Sequence, residues 1–160
     1  MNNDFEFYIN VRQIFKNLGL NTGTSASPEF TTLCTLSEIT CSIDWEQKDW
    51  NVACDAIKRA LLTGVGVTFK TTVVIDMNNK AVKMPLKGLH TILGQGEIQQ
   101  FNNQVIQIEV LDDITDGILT YKKYQLPAIL KFSELGGAVE DEGKYTLEII
   151  VNGKGKEITE

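Results

Sequence analysis

Few side chains in this sequence are able to do chemistry, and their spacing limits them further. His90 is the one histidine, so an imidazole metal site or a Ser-His-Asp set would rest on it alone. Nothing beside it in the sequence looks prepared for either role. Cys34, Cys41 and Cys54 lack the paired C-x-x-C spacing that holds zinc. They are odd in number, and the opening MNNDFEFYIN has neither the basic nor the apolar region of a secretory signal. That pattern fits free thiols in a reducing compartment. Glu140-Asp141-Glu142, and Asp112 and Asp113 with Asp116, bring carboxylates together without the alternating acids and glycine of a calcium loop. Both groups read as solvated connections. Gly64-Val65-Gly66 follows a helical pattern instead of preceding one, so no helix N-terminus points at a phosphate there. It and Gly94-Gln95-Gly96 read as turns. No catalytic, cofactor or metal residue is assigned, and an enzyme is not expected.

What remains is contact chemistry. Lys122 and Lys123 stand between Tyr121 and Tyr124, a basic-aromatic cluster of the kind that grips single-stranded nucleic acid. The balance of the chain argues otherwise. Fifteen Lys and Arg against 21 Asp and Glu leave a formal charge of −6, and a binder of phosphates needs a basic face. The cluster therefore reads as the rim of a protein–protein contact. Trp50, off the main apolar stripe at the start of an expected helix, reads as a second contact residue. Trp45 falls in phase with a strand's apolar face and reads as core. The candidate interface residues are thus Trp50, Tyr121, Lys122, Lys123 and Tyr124.

The elements that would carry these residues are mostly strands. Residues 5–18 read as a short strand (Phe5, Phe7 and Ile9 alternating) passing into a helix (Tyr8, Val11, Ile14, Phe15 and Leu18), with Asp4 as a possible cap and Gly19 at its end. Gly19–Pro28 is small and polar, a loop. From Thr31 to Trp45, Ile39, Cys41, Ile43 and Trp45 share one face, with Glu38, Thr40, Ser42 and Asp44 on the other. Cys34 and Cys41 lie an odd number of residues apart, so a regular strand sends them to opposite faces and no disulfide is expected. Asp49–Thr63 reads as the clearest helix: Asp49 caps it, Ala53, Ala56, Ile57, Ala60 and Leu61 form a stripe, and Gly64 closes it. A hairpin follows, with Val67–Ile75 and Val82–Leu86 joined by Asp76–Lys80, and Pro85 puts the second strand at an edge. Residues 97–111 suggest another strand pair, in which Ile106, Ile108 and Val110 alternate. The last pair is Gln125–Leu135 with Lys144–Val151. At 160 residues, with ~100–200 residues to a domain, the whole chain 1–160 reads as one domain. No apolar run approaches the ~20 residues of a membrane span.

Two stretches carry a family resemblance. The first is the strand Leu36–Trp45 (LSEITCSIDW), a helix ending in Asp55-Ala56-Ile57-Lys58-Arg59-Ala60-Leu61-Leu62, a glycine break, and the strand Gly66-Val67-Thr68-Phe69-Lys70. The second is the strand Leu126–Phe132, the polar connection Leu135–Gly143, and a strand running into Asn152-Gly153-Lys154-Gly155. In this order they resemble the bacteriophage tail-tube (major tail) proteins, in which such a helix sits between the halves of a β-sandwich. Two departures stand out. Lys87–Thr120 is longer than the pattern requires, as an insertion or an extended β-arm would be. The opening FEFYINVRQIF is more helical than the family's usual first strand.

The resemblance implies a mainly β, antiparallel β-sandwich or barrel-like fold with one packed helix (about 49–63) and long loops or β-arms. It implies a virion protein, made in the bacterial host cytoplasm, that self-assembles into rings of six. The rings stack into a tube through which the genome is ejected. The implied partners are further copies of the chain and the tape-measure, distal-tail and terminator proteins. DNA would be met only in passage, membrane not at all, and cofactors are none. An acidic lumen would let a duplex slide instead of stick. Two readings compete: a monomeric β-rich adaptor or ligand-binding module, marked by one deep apolar pocket, and a secretion-system tube protein of similar fold.

Overall fold

The computed structural model describes residues 8–24, 26–50, 58–96 and 101–159. Its elements run α1 (Val11–Ile14), β1 (Phe15–Asn21), β2 (Phe30–Thr32), β3 (Leu36–Trp50), β4 (Arg59–Val74), α2 (Lys80–Gln95), β5 (Gln104–Thr115), β6 (Ile118–Gly136), β7 (Lys144–Val151) and β8 (Lys156–Ile158). The strands make one antiparallel sheet in the order β2-β1-β5-β6-β7-β4-β3, and β8 pairs with β6. The fold is mainly β, as the alternating patterns predict.

The sheet rolls up on itself. Phe15 of β1 packs edge-on against Phe69 of β4 with ring centroids 5.5 Å apart, although the two strands lie far apart in the strand order. The short link between β2 and β3 ties the two ends together. Leu33 N–H donates to Leu18 C=O at 2.8 Å, and Val74 N–H donates to Thr35 C=O at 3.1 Å. Inside lie Leu18, Leu20, Phe69, Val73, Ile106, Ile108, Leu130, Tyr145, Leu147 and Ile149, each essentially without solvent contact. Full burial of such a side chain is worth ~1.5–3 kcal/mol. The period-2 patterns of Phe69–Val73, Ile106–Val110 and Tyr145–Val151 therefore point inward where alternation says they should.

Helix α2 packs against this core. Asn79 caps it, its side-chain oxygen accepting from Ala81 N–H at 2.9 Å and Val82 N–H at 3.2 Å, and Gly96 ends it in the left-handed conformation (φ 69°). Ala81, Val82, Pro85 and Gly88 are its buried residues. The Tyr145 hydroxyl donates to Val82 C=O at 3.3 Å. Phe101, Phe132 and Tyr145 form a run of edge-on ring contacts, 5.5 and 6.0 Å between centroids. A Cβ on Gly88 would stand 2.6 Å from the Phe101 ring, so glycine is what lets helix and ring approach.

Several sequence expectations are overturned. The helix of Asp49–Thr63 does not form: Asp49 and Trp50 end β3, and Arg59–Thr63 begin β4, paired with it in a hairpin. Residues 51–57, including Ala53, Cys54, Ala56 and Ile57 of the expected stripe, lie outside the described residues. Helix propensity is a weak prior, and the ladder from Trp50↔Arg59 to Gln47↔Leu62 prevails over it. Gly64 and Gly66 accordingly sit inside β4 and not in a turn.

The one long helix instead begins where a second hairpin strand was expected. Val82, Met84 and Leu86 alternate, but Val82, Pro85, Leu89 and Ile92 also follow helical spacing, and the Asn79 cap selects the latter. Pro85 sits in the second turn and merely leaves Ala81 C=O without its N–H. Gly94 and Gln95 are the helix's last residues, so that glycine pair marks a helix end. At the opening, Phe5 and Phe7 of the expected strand lie outside the described residues, and the expected helix is only the short α1, since Phe15, Leu18 and Gly19 are residues of strand β1. Lys87–Thr120 holds the end of α2, all of β5 and the first residues of β6, and its outer part is an extended β-arm, one of the two expected alternatives.

A candidate assembly surface

The most unusual surface is a two-stranded arm. β4 pairs with β7 only from Thr68 onward, yet its ladder with β3 continues from Ile43↔Val67 out to Trp50↔Arg59. No third strand joins that stretch among the described residues. Side chains directly opposite each other across a ladder share a face. The core-facing pair Cys41↔Phe69 is therefore followed on the same face by Ile43↔Val67 and Trp45↔Val65. A register shift at Glu46/Gln47 leaves Thr63 unmatched, and beyond it Leu62 comes opposite Gln47. The apolar face of the core thus runs out along the arm with nothing over it among the described residues. Trp45, expected in the core, is 61% exposed, and Ile43, Val65 and Leu62 are each more than half exposed. Its strand phase was right; what is missing is a layer to cover it.

The opposite face of the arm carries Asp44, Glu46, Lys48 and Trp50. Glu46 Oε2 lies 3.1 Å from where a Cβ on Gly64 would sit, so the carboxylate folds over the glycine directly across from it. The outer edge of β3 is unpaired along all 15 residues among those described. An edge of that length without proline is one that proteins ordinarily blunt or cover.

The expected contact residues are placed on two separate elements. Trp50 ends β3 at 42% exposure, opposite Arg59. Tyr121, Lys122, Lys123 and Tyr124 follow one another on β6 and alternate in direction. Tyr121 is half-buried: its hydroxyl donates to Gln13 C=O at 2.7 Å, and Lys16 Nζ stands 5.1 Å from its ring centroid. Lys122 is exposed, with Nζ 3.9 Å from Asp112 Oδ1. Lys123 and Tyr124 are half-buried between β5 and β8, opposite Glu109 and Ile108 on one side and Ile158 and Glu157 on the other. No ladder brings Trp50 to this group. Beyond it, β5 and β6 run on as a second arm to a tight turn at Asp116 and Gly117, both at positive φ (54° and 77°). Its tip carries exposed Ile118.

A third feature lies along α2. Pro85, Leu89 and Ile92 face Phe132, Ser133, Glu134 and Leu135 of β6 across an open cavity of about 250 Å³. Leu89, Ile92, Leu93 and Leu135 are all exposed there. Sequence reasoning missed this groove together with Trp45 and its companions. A helical reading of Val82, Pro85, Leu89 and Ile92 was the available signal for the groove.

The remaining reactive residues are scattered. His90 is exposed on α2. Cys34 is exposed and Cys41 half-buried, both free thiols, and burial pushes the Cys41 thiol up. Burial also holds the Tyr145 hydroxyl well above the usual phenol range. Among the described residues no three His, Cys, Asp or Glu side chains converge as metal ligands. Nor is any helix there long and apolar enough to cross a membrane. Glu140, Asp141 and Glu142 are exposed in the β6–β7 connection, and Asp112, Asp113 and Asp116 are exposed near the second arm's turn.

This architecture is shared with solved tail structures. The tail of an empty gene transfer agent particle, refined helically with C6 symmetry, matches over 95% of this chain and 100% of its own, at TM-score 0.61 and 16% identity. The SPP1 tail tube matches over 92% of this chain and 78% of its own, at TM-score 0.59 and 11% identity. The tube-terminating cap of the anti-feeding prophage matches over 96% and 93%, at TM-score 0.54 and 7% identity. No protein-family model and no curated protein matches the sequence. At such identities the likeness establishes the fold: this chain has the fold of these tail proteins, with its own long helix following β4.

Proposed function

We propose that the protein is a tail-tube subunit of a phage or phage-like particle, self-assembling into stacked rings around a channel for the genome. The observation that carries this reading is the uncovered β3–β4 arm on a fold that spans the whole of a tail protein. A monomer has no use for a fifteen-residue open edge and a tryptophan stripe beside it. A tube subunit does, because neighbouring copies can extend the sheet and cover the stripe. The C6 symmetry of the gene transfer agent tail favours rings of six. The chain as a whole reads as one domain in this assembly, and the virion is where it would reside.

Its partners would then be copies of itself and the tape-measure, distal-tail and terminator proteins of the same tail. DNA would be met only in passage, which suits a formal charge of −6. The subunit works by shape and adhesion, so the reading asks for no catalyst and no cofactor. Trp50 and the Tyr121–Tyr124 group would serve as further contacts, one on each arm's strand system. Purified protein should form rings or tubes in negative stain as its concentration rises. A particle that stays monomeric at high concentration under every condition would remove the proposal.

A second reading is the tube of an injection or secretion system. It is favoured by the match to the anti-feeding prophage cap and differs in what passes through the channel. Recovery of the assembled tube with DNA or with protein inside would separate the two.

A further inference from the structure

We propose that Asn152 is a site of spontaneous covalent change, converting through the nitrogen of Gly153 to aspartate and isoaspartate, and that the isoaspartyl product frees β8 from β6. The inference goes beyond the tube reading and does not depend on assembly.

Asn152 follows the last residue of β7 and opens the link to β8. Its N–H donates to Pro127 C=O at 2.8 Å, which holds the start of that link against β6. Gly153 then turns the chain at φ 137°, a conformation that L side chains rarely adopt. The turn therefore calls for glycine, and glycine is the residue least able to shield its own backbone nitrogen. Both residues are exposed. Neither the Asn152 side chain nor the Gly153 N–H makes a hydrogen bond among the described residues, so water and hydroxide reach both groups.

This combination is particular to the position. Asn152-Gly153 is the one Asn-Gly step in the sequence. The side-chain oxygens of Asn10, Asn21 and Asn79 accept from backbone N–H groups, and the Asn17 amide donates to Glu109. Those bonds restrain the amides from rotating towards the nitrogen that follows them. Asp116-Gly117 offers the same glycine nitrogen at a turn, but a carboxylate is a poorer acyl donor than a neutral amide.

Hydroxide removes the Gly153 N–H proton, and the nitrogen attacks Asn152 Cγ to close a cyclic imide. The bond from Cγ to Nδ2 breaks, and Nδ2 leaves as ammonia with a proton from water. Water then opens the ring at either carbonyl. Addition at Cγ leaves aspartate; addition at the main-chain carbonyl leaves isoaspartate, with the chain routed through the former side chain. In sum one water is consumed, one ammonia is released, and nothing is oxidised or reduced. The isoaspartyl path is longer by a methylene, and the link to β8 is closely seated, since a Cβ on Gly155 would stand 2.2 Å from Leu126 Cδ2. Only the pairs from Lys123↔Ile158 to Gln125↔Lys156 hold β8 to the sheet. The longer path puts these out of register and opens the β6 edge at Lys123–Gln125.

The test incubates the purified protein at mildly alkaline pH in water enriched in oxygen-18 and follows the tryptic peptide Tyr145–Lys154, in which Asn152 is the one side-chain amide. Label should enter as ammonia is lost, at least tenfold faster than at any other described asparagine, and faster as pH rises. Asn152→Gln, whose ring closure is less favourable by one methylene, should leave the peptide unlabelled. An Asn152 that persists in the folded protein through the time in which the free peptide reacts overturns the site. An isoaspartyl methyltransferase assay then measures the isoaspartyl share of the aged protein. By hydrogen exchange, the amides of 156–158 should exchange at least tenfold faster in that isoaspartyl fraction than in fresh Asn152→Asp, which carries the charge without the extra methylene. Equal exchange overturns the release of β8.

Discussion

Replacing Trp45 with alanine should leave a folded subunit that no longer assembles. An aromatic side chain has ~150–250 Å² to bury. Because Trp45 is 61% exposed in the subunit, roughly 90–150 Å² is left for a neighbour to cover. At ~25 cal/mol per Å² that area is worth ~2–4 kcal/mol per contact. The association constant of one contact should therefore fall ~50–500-fold. The part already covered within the arm is smaller, so the monomer should lose at most ~2 kcal/mol, a drop in Tm of ~4–8 °C. Sedimentation velocity across a concentration series reads the first effect, and a thermal melt at low concentration reads the second. Trp45→Phe should fall between wild type and W45A. If W45A forms rings at the wild-type concentration while keeping its fold, the stripe is not a contact and the argument from its exposure fails.

Three other substitutions and conditions probe the scaffold. Asn79→Ala removes the α2 cap and the 2.9 Å bond from Asn79 Nδ2 to Thr32 C=O. It should cost ~2 kcal/mol in urea unfolding with an unchanged m-value. Tyr145 is neutral in the folded state, and burial raises its pKa above the unfolded value of 10.0. Below that value the unfolded and folded chains hold the same proton and stability is unaffected. Above it the unfolded phenol ionises first, so stability should decline as pH climbs past 10. Tyr145→Phe should flatten that decline in melts taken from pH 9 to 11.5. With Cys54 changed to serine, a thiol reagent should modify Cys34 promptly and Cys41 at least tenfold more slowly, because Cys41 is half-buried with a raised pKa. Equal rates would show that the β3 face around Cys41 is open.

Much of the β framework was legible because alternation is a local signal. Tyr145, Leu147 and Ile149 point inward, as do Ile106 and Ile108, and their strands pair through a hairpin and a short connection that the sequence order already implies. Where the outcome depended on a distant partner, local pattern failed. Ala60, Leu61 and Leu62 are good helix formers, and only their pairing with Asp49, Lys48 and Gln47 makes them strand. From sequence, Pro85 places a second hairpin strand at an edge; in the second turn of the helix that forms instead it forfeits one backbone bond, while Asn79 contributes a cap and a tether to β2. Trp45 shows a different limit. Its face was read correctly, but whether a face is covered depends on where the opposing layer stops. The β4–β7 ladder ends at Thr68↔Ile150, so the arm beyond is bare among the described residues.

The open edge of β3 also indicates what kind of neighbour it takes. If two copies of β3 paired antiparallel about Trp45, Asp44 would lie opposite Glu46 on both sides of the centre. Like charges directly across a ladder are destabilising. Such a symmetric pairing would also consume the edge in a closed dimer and leave no surface for growth. The acids on β3 therefore act against self-pairing of the edge while leaving it available to a different one. An edge charged to refuse its own copy, beside an exposed apolar stripe, suits the proposed tube subunit, which would assemble through head-to-tail contacts of the kind from which rings and tubes are built.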